Sequence, residues 1–256
     1  MSDALLDIDA LRVTYGGVVA VDSATFTVSE GQIVGLIGPN GAGKTSMIDA
    51  LTGYHRPSAG TVTFAGENVT KVKADKRSRK GLVRTFQSVE LFDDLTVEEN
   101  LLVAAEHVSW WQPFKDIFLP HGHRGAEAVA WATSTLDIGD VADRMPTDLS
   151  HGQRKLVSVG RALAQRPRLV LLDEPAAGLD SDESLAFGER LRSLPENGVS
   201  VLLVDHDMGL VLSVCDHVVV LDFGKIIAHG RPDEIRANPA VIEAYLGSSS
   251  SEELHD

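Results

Sequence analysis

The sequence predicts an α/β protein with two lobes: an α/β lobe built from both halves of the chain, and a helical insert near residues 90–160. Residues 5–15, 18–28 and 61–64 are rich in β-branched residues and roughly alternate in polarity, which is typical of strands with one buried face. Residues 96–166 have a mostly helical pattern. After Pro167, strands and helices alternate, which favours a parallel sheet.

Local signals justify the individual elements. Residues 32–37 read as a buried strand, and a helix over 43–51 follows a glycine-rich turn. Two capping boxes, Thr96 with Glu99 and Ser150 with Gln153, open helices that run to about 106 and 165. The run 169–172 is apolar on both faces, as in a central parallel strand. The other predicted elements are helices over 126–136, 181–193 and 208–214 and strands over 199–204 and 218–221.

The composition indicates a globular chain without a membrane span. The chain has 256 residues, 43% of them hydrophobic and 23% charged, unlike a disordered or fibrous protein. Its apolar runs, such as 201–204 and 217–221, are far shorter than the ~20 residues that cross a bilayer. A net charge of −14 opposes general binding to nucleic-acid phosphates. The single cysteine, Cys215, fits a reducing cytosol.

A glycine-rich loop at residues 38–45 lies between a predicted strand and a predicted helix. Its sequence, Gly-Pro-Asn-Gly-Ala-Gly-Lys-Thr, fits the P-loop pattern G-x-x-x-x-G-K-[ST]. Glycines let backbone N–H groups surround phosphates, and the helix N-terminus adds partial positive charge. The pattern predicts that Lys44 reaches the β- and γ-phosphates of a nucleotide and that the Thr45 hydroxyl binds Mg²⁺.

Two adjacent carboxylates follow the apolar strand 169–172. This strand delivers Asp173 to the sheet edge, where its carboxylate can hold Mg²⁺ through water. Glu174 comes next and is placed to polarise an attacking water molecule. The alternative interpretation is a pair of strand-terminal carboxylates that face solvent. Because the chain also contains a P-loop, we favour the catalytic interpretation.

Residues 149–153, Leu-Ser-His-Gly-Gln, indicate the family. They resemble the LSGGQ signature of the ATP-binding cassette (ABC) ATPases, which other P-loop enzymes lack. His151 replaces the first signature glycine, whereas Gly152 is retained. The resemblance spans about residues 5–247 and implies a P-loop nucleotide-binding domain with an antiparallel β subdomain and an inserted helical subdomain.

The resemblance implies a role for each motif residue. Tyr15 stacks on adenine, Glu174 is the general base, and Gln87 and His206 sense the γ-phosphate. The signature turn faces the P-loop of a second subunit, so that two chains enclose two ATP molecules. The implied ATP-binding residues are Tyr15, Gly38, Pro39, Asn40, Gly41, Ala42, Gly43, Lys44, Thr45, Ser46, Ser150, Gly152, Gln153 and Asp180, and the implied Mg²⁺ ligands are Thr45, Gln87 and Asp173.

A narrower resemblance is to the ATPase subunits of branched-chain amino acid importers, particularly the LivG-like type. It is carried by residues 83–87 (Val-Arg-Thr-Phe-Gln), 173–179 (Asp-Glu-Pro-Ala-Ala-Gly-Leu) and 238–247, among others. It implies a peripheral ATPase at the cytoplasmic face of the inner membrane that powers uptake of branched-chain or other hydrophobic amino acids. The implied partners are a second ABC ATPase subunit (LivF-like, or another copy), two transmembrane permease subunits and, indirectly, a solute-binding protein.

Other functions stay open at this point. Urea and amide importers and export systems use related ATPases, and a non-transport scaffold ATPase has a compatible length. DNA-repair ABC proteins insert long coiled coils between P-loop and signature, and the spacing here leaves no room for them. A GTPase is disfavoured because no Asn-Lys-x-Asp motif is present, and a GTPase or kinase would leave the signature unexplained.

The resemblance also implies domain boundaries. We expect one ATPase domain over residues 1–247, followed by a disordered tail over 248–256. Within the domain, the nucleotide-binding and β subdomains cover about 1–87 and 161–230, and the helical subdomain covers about 88–160. Family-specific C-terminal helices follow over about 231–247.

Two segments carry no assigned role. Four aromatic residues lie within 110–118, where they either dock a membrane subunit or fill the core of the helical insert. Residues 71–84 hold seven basic side chains and one acidic one. This basic run reads as a solvated helix face, or as a surface that approaches anionic lipid headgroups.

Overall fold

The computed structural model describes residues 4–85, 91–106 and 123–252, and these residues form two sheets with helices packed around them. The strands are Ala4–Tyr15 (β1), Val18–Ser29 (β2), Ile33–Ile37 (β3), Ala59–Phe64 (β4), Glu67–Asn68 (β5), Leu82–Arg84 (β6), Leu169–Asp173 (β7), Ser200–Val204 (β8), His217–Asp222 (β9) and Lys225–Gly230 (β10). The helices are Lys44–Thr52 (α1), Ala74–Arg79 (α2), Val97–Ala105 (α3), His123–Leu136 (α4), His151–Leu163 (α5), Ser181–Arg192 (α6), Met208–Val214 (α7), Pro232–Arg236 (α8) and Pro239–Glu252 (α9).

The smaller sheet is antiparallel and has the strand order β2-β1-β4-β5. Leu6 on β1 lies opposite Val28 on β2 and Phe64 on β4, so three buried side chains share one row of the sheet. Met47 and Leu51 of α1 belong to the same apolar core. This confirms the antiparallel β subdomain that the family resemblance implies.

The larger sheet has the order β10-β9-β3-β8-β7-β6, and all of its strands are parallel except β10. Every residue of β3, β7 and β8 is buried, as the apolar runs predict for central strands covered on both faces. Parallel strands bring their carboxyl ends to one edge of the sheet. Ile37, Asp173 and Val204 therefore end at the same edge, which positions the site.

Among the described residues, the helical insert contains α3, α4 and α5, which pack on one another. The first capping box is present as predicted: the Glu99 backbone N–H donates to Thr96 Oγ1 at 3.2 Å, and the Thr96 N–H donates to Glu99 Oε2 at 2.8 Å. Leu101 of α3 and Val157 of α5 are fully buried in the core that this insert shares with the parallel sheet. The insert is therefore joined to the α/β lobe through a common apolar core.

The structure differs from the sequence predictions at the short elements and at the C-terminus. Strands β5, β6 and β10 and helix α2 were not predicted; β5 and β6 have only two and three residues, too few to show a periodic pattern. Helix α9 continues to Glu252, so five residues of the predicted disordered tail are helical. Extending an existing helix is far easier than starting one, and serine permits it.

The prediction of a solvated basic run is wrong for one of its central residues, Arg77. Its side chain is only 1% exposed. The guanidinium donates to the carbonyl oxygens of Ala50 (2.9 Å), Leu51 (2.5 Å), Val72 (2.8 Å) and Thr70 (3.2 Å). The first two carbonyls lie at the end of α1, where helices leave carbonyl groups without intrahelical partners. Arg77 therefore caps the helix that begins at the P-loop.

We expect Arg77→Met to lower the free energy of unfolding by about 3 kcal/mol, because buried carbonyl groups lose their charged donor. Urea unfolding of the full chain measures this difference. Arg79→Met is the matched control, since Arg79 lies two residues further along the same short helix with an exposed side chain. Equal stability of the two variants would contradict the capping role.

Candidate nucleotide-binding site

The loop between β3 and α1 has a backbone that only glycines adopt easily. Gly43 is the N-cap of α1 with φ of 105°, and Gly41 has φ of 79°, both in the left-handed region. A Cβ atom on Gly43 would lie 2.3 Å from the carbonyl oxygen of Ala20. The first N–H groups of α1 lack intrahelical partners and point out of the helix start. This geometry suits an anion-binding cradle, in which backbone N–H groups surround a phosphate.

The Lys44 side chain lies within this loop. Its Nζ donates to the Gly38 oxygen at 2.6 Å and to the Pro39 oxygen at 3.1 Å. The side chain is buried, and burial lowers the pKa of the ammonium group, while the negative charge of three nearby carboxylates opposes that change. These carboxylates belong to Glu174, Asp173 and Asp205. The ends of β7 and β8 therefore bring negative charge to the P-loop lysine.

Asp173 is held by Arg84, a residue to which the sequence interpretation gave no role in the site. Arg84 ends β6, which pairs in parallel with β7. Its guanidinium donates to Asp173 Oδ2 at 2.7 Å and to Asp49 Oδ1 at 2.5 Å. Burial raises the pKa of Asp173, and the hydrogen bond and charge of Arg84 lower it again. Arg84 thus favours the ionised carboxylate at the sheet edge.

Glu174 has a strained backbone that turns the chain sharply after β7. Its φ of 45° is in the left-handed region, which is unfavourable for a residue with a Cβ atom. The Glu174 N–H donates to the Val204 oxygen at 2.7 Å, so that β8 holds the turn. His206 Nδ1 lies 3.8 Å from Glu174 Oε1. The structure therefore brings together two residues that are distant in sequence and that were both predicted for the site.

Asp205 is a buried carboxylate beneath this pair. It accepts hydrogen bonds from the backbone N–H groups of His206 (2.8 Å) and Asp207 (3.0 Å) through Oδ1 and of Ala176 (3.4 Å) through Oδ2. Burial raises its pKa, and these hydrogen bonds oppose the rise. Asp205 fixes the turn that carries His206 and links it to the turn after Glu174. The sequence shows its position beside His206 but not these partners.

The signature turn is a capped helix start, as predicted. Ser150 is the N-cap of α5; its Oγ accepts from the Gln153 N–H at 3.2 Å, and its own N–H donates to Gln153 Oε1 at 3.0 Å. The His151 ring lies toward the turn that follows Glu174, with Nε2 3.4 Å from the Ala177 oxygen. A Cβ on Gly152 would meet a side-chain oxygen of Glu183 at 3.6 Å. Within one chain, the signature turn thus packs beside the segment after β7.

Tyr15 and Asp180, two further residues of the predicted site, each contact a neighbouring residue of the same chain. Tyr15 ends β1 with a partly exposed ring whose centroid lies 4.4 Å from that of His55. The exposed face of the Tyr15 ring offers a flat surface on which a base can stack. Asp180 is the N-cap of α6 and accepts from the Glu183 N–H at 2.8 Å. Its carboxylate serves the helix start in the single chain.

Two predictions fall on residues outside the described ranges. Gln87 lies within 86–90, and the aromatic residues of 110–118 lie within 107–122. The γ-phosphate and Mg²⁺ contacts expected of Gln87 therefore stay predictions. The same holds for the two interpretations of the aromatic segment.

The assembled site is that of a P-loop nucleotide-binding protein: a glycine-rich anion cradle with a buried lysine, faced by carboxylates from two adjacent strands. The sequence matches the family model described as ABC transporter over residues 21–177. It also matches the model described as branched-chain amino acid ATP-binding cassette transporter over residues 225–250. The chain belongs to the ABC transporter ATP-binding cassette family, whose members hydrolyse ATP in support of transport.

Two curated relatives are similar over almost the whole chain. The high-affinity branched-chain amino acid transport ATP-binding protein BraF of Pseudomonas aeruginosa is 40% identical, with 97% of this chain and 100% of BraF covered. The corresponding protein LivG of Escherichia coli is 37% identical, with 97% and 100% covered. Among solved structures, an ATP-binding cassette of an ABC transporter in its ADP conformation has a TM-score of 0.83 at 30% identity, covering 95% and 99%.

Neither a membrane-spanning helix nor a preformed metal cluster occurs in the part of the chain that the structure describes. Across 4–85, 91–106 and 123–252, no helix combines the length and apolar character that crossing a bilayer requires. Over the same ranges, no three side chains among His, Cys, Asp and Glu come together in a cluster fit to hold a metal ion.

The C-terminal helix contacts the P-loop, which the sequence interpretation did not foresee. Tyr245 of α9 packs against the core of the parallel sheet, with its hydroxyl beside the Gly38 backbone N–H. Burial raises the pKa of this hydroxyl to about 12. Residues 39–42 and α9 also both line a cavity of about 500 Å³. Residues 225–250, which match the branched-chain amino acid family model, thus include side chains that lie beside the P-loop.

We expect Tyr245→Phe to weaken ATP binding about three- to tenfold, because the hydroxyl beside the start of the P-loop is lost while the ring and its packing remain. Fluorescent-nucleotide titration of the full chain measures the Kd. Tyr54→Phe is the control, because Tyr54 is 59% exposed. An unchanged Kd for Tyr245→Phe would show that α9 does not hold the loop.

Proposed function

We propose that this chain is the ATP-hydrolysing subunit of an importer for branched-chain or other hydrophobic amino acids. The observation that carries the proposal is similarity along nearly the full length to BraF and LivG, at 40% and 37% identity. The branched-chain amino acid model over residues 225–250 supports the same cargo. The chain works with two transmembrane permease subunits and a second ATPase subunit, LivF-like or another copy, at the cytoplasmic face of the membrane.

The proposed reaction is in-line attack of water on the γ-phosphate of ATP. Lys44 and the N–H groups at the start of α1 hold the phosphates, because the loop presents donors and positive charge toward one point. Glu174 accepts the proton of the attacking water, since its turn aims a carboxylate beside the P-loop lysine. His206, 3.8 Å from that carboxylate, orients Glu174 and contacts the γ-phosphate.

The residues at the phosphate end fit Mg²⁺. Magnesium in such sites takes one or two carboxylates, a hydroxyl and phosphate oxygens rather than a cage of protein ligands. Asp173 provides a buried carboxylate held by Arg84, and Thr45 provides a hydroxyl at the start of α1. Gln87 is the further ligand that the family resemblance implies. Bound Mg²⁺ would neutralise charge on the β- and γ-phosphates.

Two chains complete each site in this proposal. The first turn of α5 carries N–H groups without intrahelical partners, and Ser150 presents a hydroxyl at the same place. These donors suit a terminal phosphate bound by another subunit. Closure of the dimer would then depend on ATP, and hydrolysis would release it.

Deletion and complementation in the native host test the cargo. Removal of this gene should abolish uptake of radiolabelled leucine, isoleucine and valine, and the wild-type gene should restore it. The Glu174→Gln gene should fail to restore it, which ties uptake to ATP hydrolysis. The second candidate, a urea or amide importer, predicts normal leucine uptake and loss of labelled urea uptake in the same deletion strain.

A further inference from the structure

His151 connects two parts of the chain that serve different steps of the reaction. Its ring extends from the first residue of α5 to the turn after Glu174, where Nε2 lies 3.4 Å from the Ala177 oxygen. A Cβ atom on Gly178 would lie 3.2 Å from the same nitrogen. The ring therefore lies against the Ala177 carbonyl and beside Gly178, in space that a Cβ atom on Gly178 would crowd.

Both ends of the contact are fixed by their own hydrogen bonds. On one side, the capping box of Ser150 and Gln153 sets the start of α5. On the other side, a second capping box sets the start of α6, in which Asp180 accepts from the Glu183 N–H at 2.8 Å. The His151 side chain therefore joins two segments that are each ordered by their own hydrogen bonds.

Gly178 makes room for the ring. Its φ is 82°, and it lacks the Cβ atom that would press against the imidazole. The signature turn also approaches the same region at Gly152, where a Cβ would be 3.9 Å from Leu179. His151 and Gly152 thus place the start of α5 close to Ala177, Gly178 and Leu179.

We propose that His151 is a positioning residue that couples the signature turn to the segment carrying Glu174. The proposal rests on the role proposed above for the signature turn, which binds the ATP of the partner subunit. The Nε2–H group donates to the Ala177 oxygen, because a carbonyl oxygen only accepts, so this contact requires a proton on Nε2. Engagement of the partner's phosphate at Ser150–Gln153 would then set the position of the turn that follows Glu174 in the same chain. A glycine at residue 151, as in the family signature, cannot make this contact.

Steady-state ATPase measurements separate positioning from general damage. We expect His151→Ala to lower kcat about three- to tenfold, which is the effect expected from losing one hydrogen bond. The KM for ATP should change less than about twofold. His151→Gln keeps an N–H donor at similar reach and should recover at least half of the lost kcat. His229→Ala removes an exposed histidine from β10 and should match the wild type. An unchanged kcat with a raised KM in His151→Ala would overturn the proposal. A His151→Gln variant as slow as His151→Ala would overturn it as well.

A double-mutant cycle tests the contact itself. Gly178→Ala is made in the natural chain and in the His151→Gly chain; the backbone strain at Gly178 is common to both and cancels. The added Cβ meets the imidazole only in the natural chain. We therefore expect Gly178→Ala to lower kcat about threefold more in the natural chain than in His151→Gly. Equal losses in the two backgrounds would contradict the coupling.

Nitrogen-15 NMR of the histidine-labelled chain distinguishes failure of this proposal from failure of the proposed function. The His151 ring should show the Nε2–H tautomer in the free protein, whatever the chain transports or hydrolyses. Gly178→Ala should shift its ring resonances. A dominant Nδ1–H tautomer at His151 would remove the contact and leave the proposed function untouched. If ATP fails to close the Glu174→Gln dimer while the Nε2–H tautomer is present, the proposed function fails and, with it, the coupling to a partner's ATP.

Discussion

Glu174→Gln is expected to bind ATP with normal affinity and to reduce its hydrolysis about 10²- to 10³-fold, the range for loss of a general base. Glutamine has nearly the shape of glutamate but cannot accept the proton of the attacking water. Phosphate release under saturating ATP measures the loss, and equilibrium nucleotide binding verifies the affinity. Glu189→Gln, an exposed carboxylate on α6, is the matched control.

The same variant should accumulate as a closed dimer when ATP is present. ATP that binds the closed dimer more tightly than the open form shifts the equilibrium toward the closed dimer. Without hydrolysis, the ATP stays intact and the dimer stays closed. Size-exclusion chromatography with light scattering, with ATP in the column buffer, detects this form. If the native pair is unequal, the same experiment is done with the second ATPase subunit present. Wild-type rates of phosphate release by Glu174→Gln would remove Glu174 from its proposed role.

Lys44→Met is expected to weaken ATP binding about 10- to 100-fold, since a charged hydrogen bond to phosphate is worth more than a neutral one. Methionine keeps most of the length of the buried side chain, so the change removes the charge of the ammonium group and its hydrogen bonds to the loop. Isothermal titration with ATP gives the Kd, and the melting temperature without nucleotide shows that the fold is kept. Lys71→Ala, at an exposed position, should bind ATP normally. Unchanged ATP affinity in Lys44→Met would contradict the assignment of the P-loop.

The sequence predicted those parts of the site that depend on local pattern. The P-loop is recognisable because its glycines, lysine and threonine lie within eight consecutive residues between a strand and a helix. The Ser150 capping box is equally local. Burial of β7 and β8 follows from apolar runs that cannot face water on either side.

Contacts between distant residues were beyond the reach of the sequence pattern. Arg84 pairs with Asp49 and Asp173, which lie 35 and 89 positions away, and nothing in the composition of 71–84 distinguishes it from solvated basic residues. Arg77 was misread for the same reason, because its carbonyl partners come from the end of α1. The Tyr245 contact with Gly38 depends on a helix at the opposite end of the chain.

The central claim is that Gly38–Thr45 of one molecule and Ser150–Gln153 of its neighbour hold the same terminal phosphoryl group. The most direct test is a structure of the Glu174→Gln complex with ATP and Mg²⁺, including the permease subunits and the second ATPase subunit. The account predicts Ser150 Oγ and the Gly152 N–H within about 3 Å of the γ-phosphate oxygens of the ATP bound by the facing P-loop. A closed, nucleotide-loaded assembly in which the signature turn stays remote from every triphosphate would contradict it.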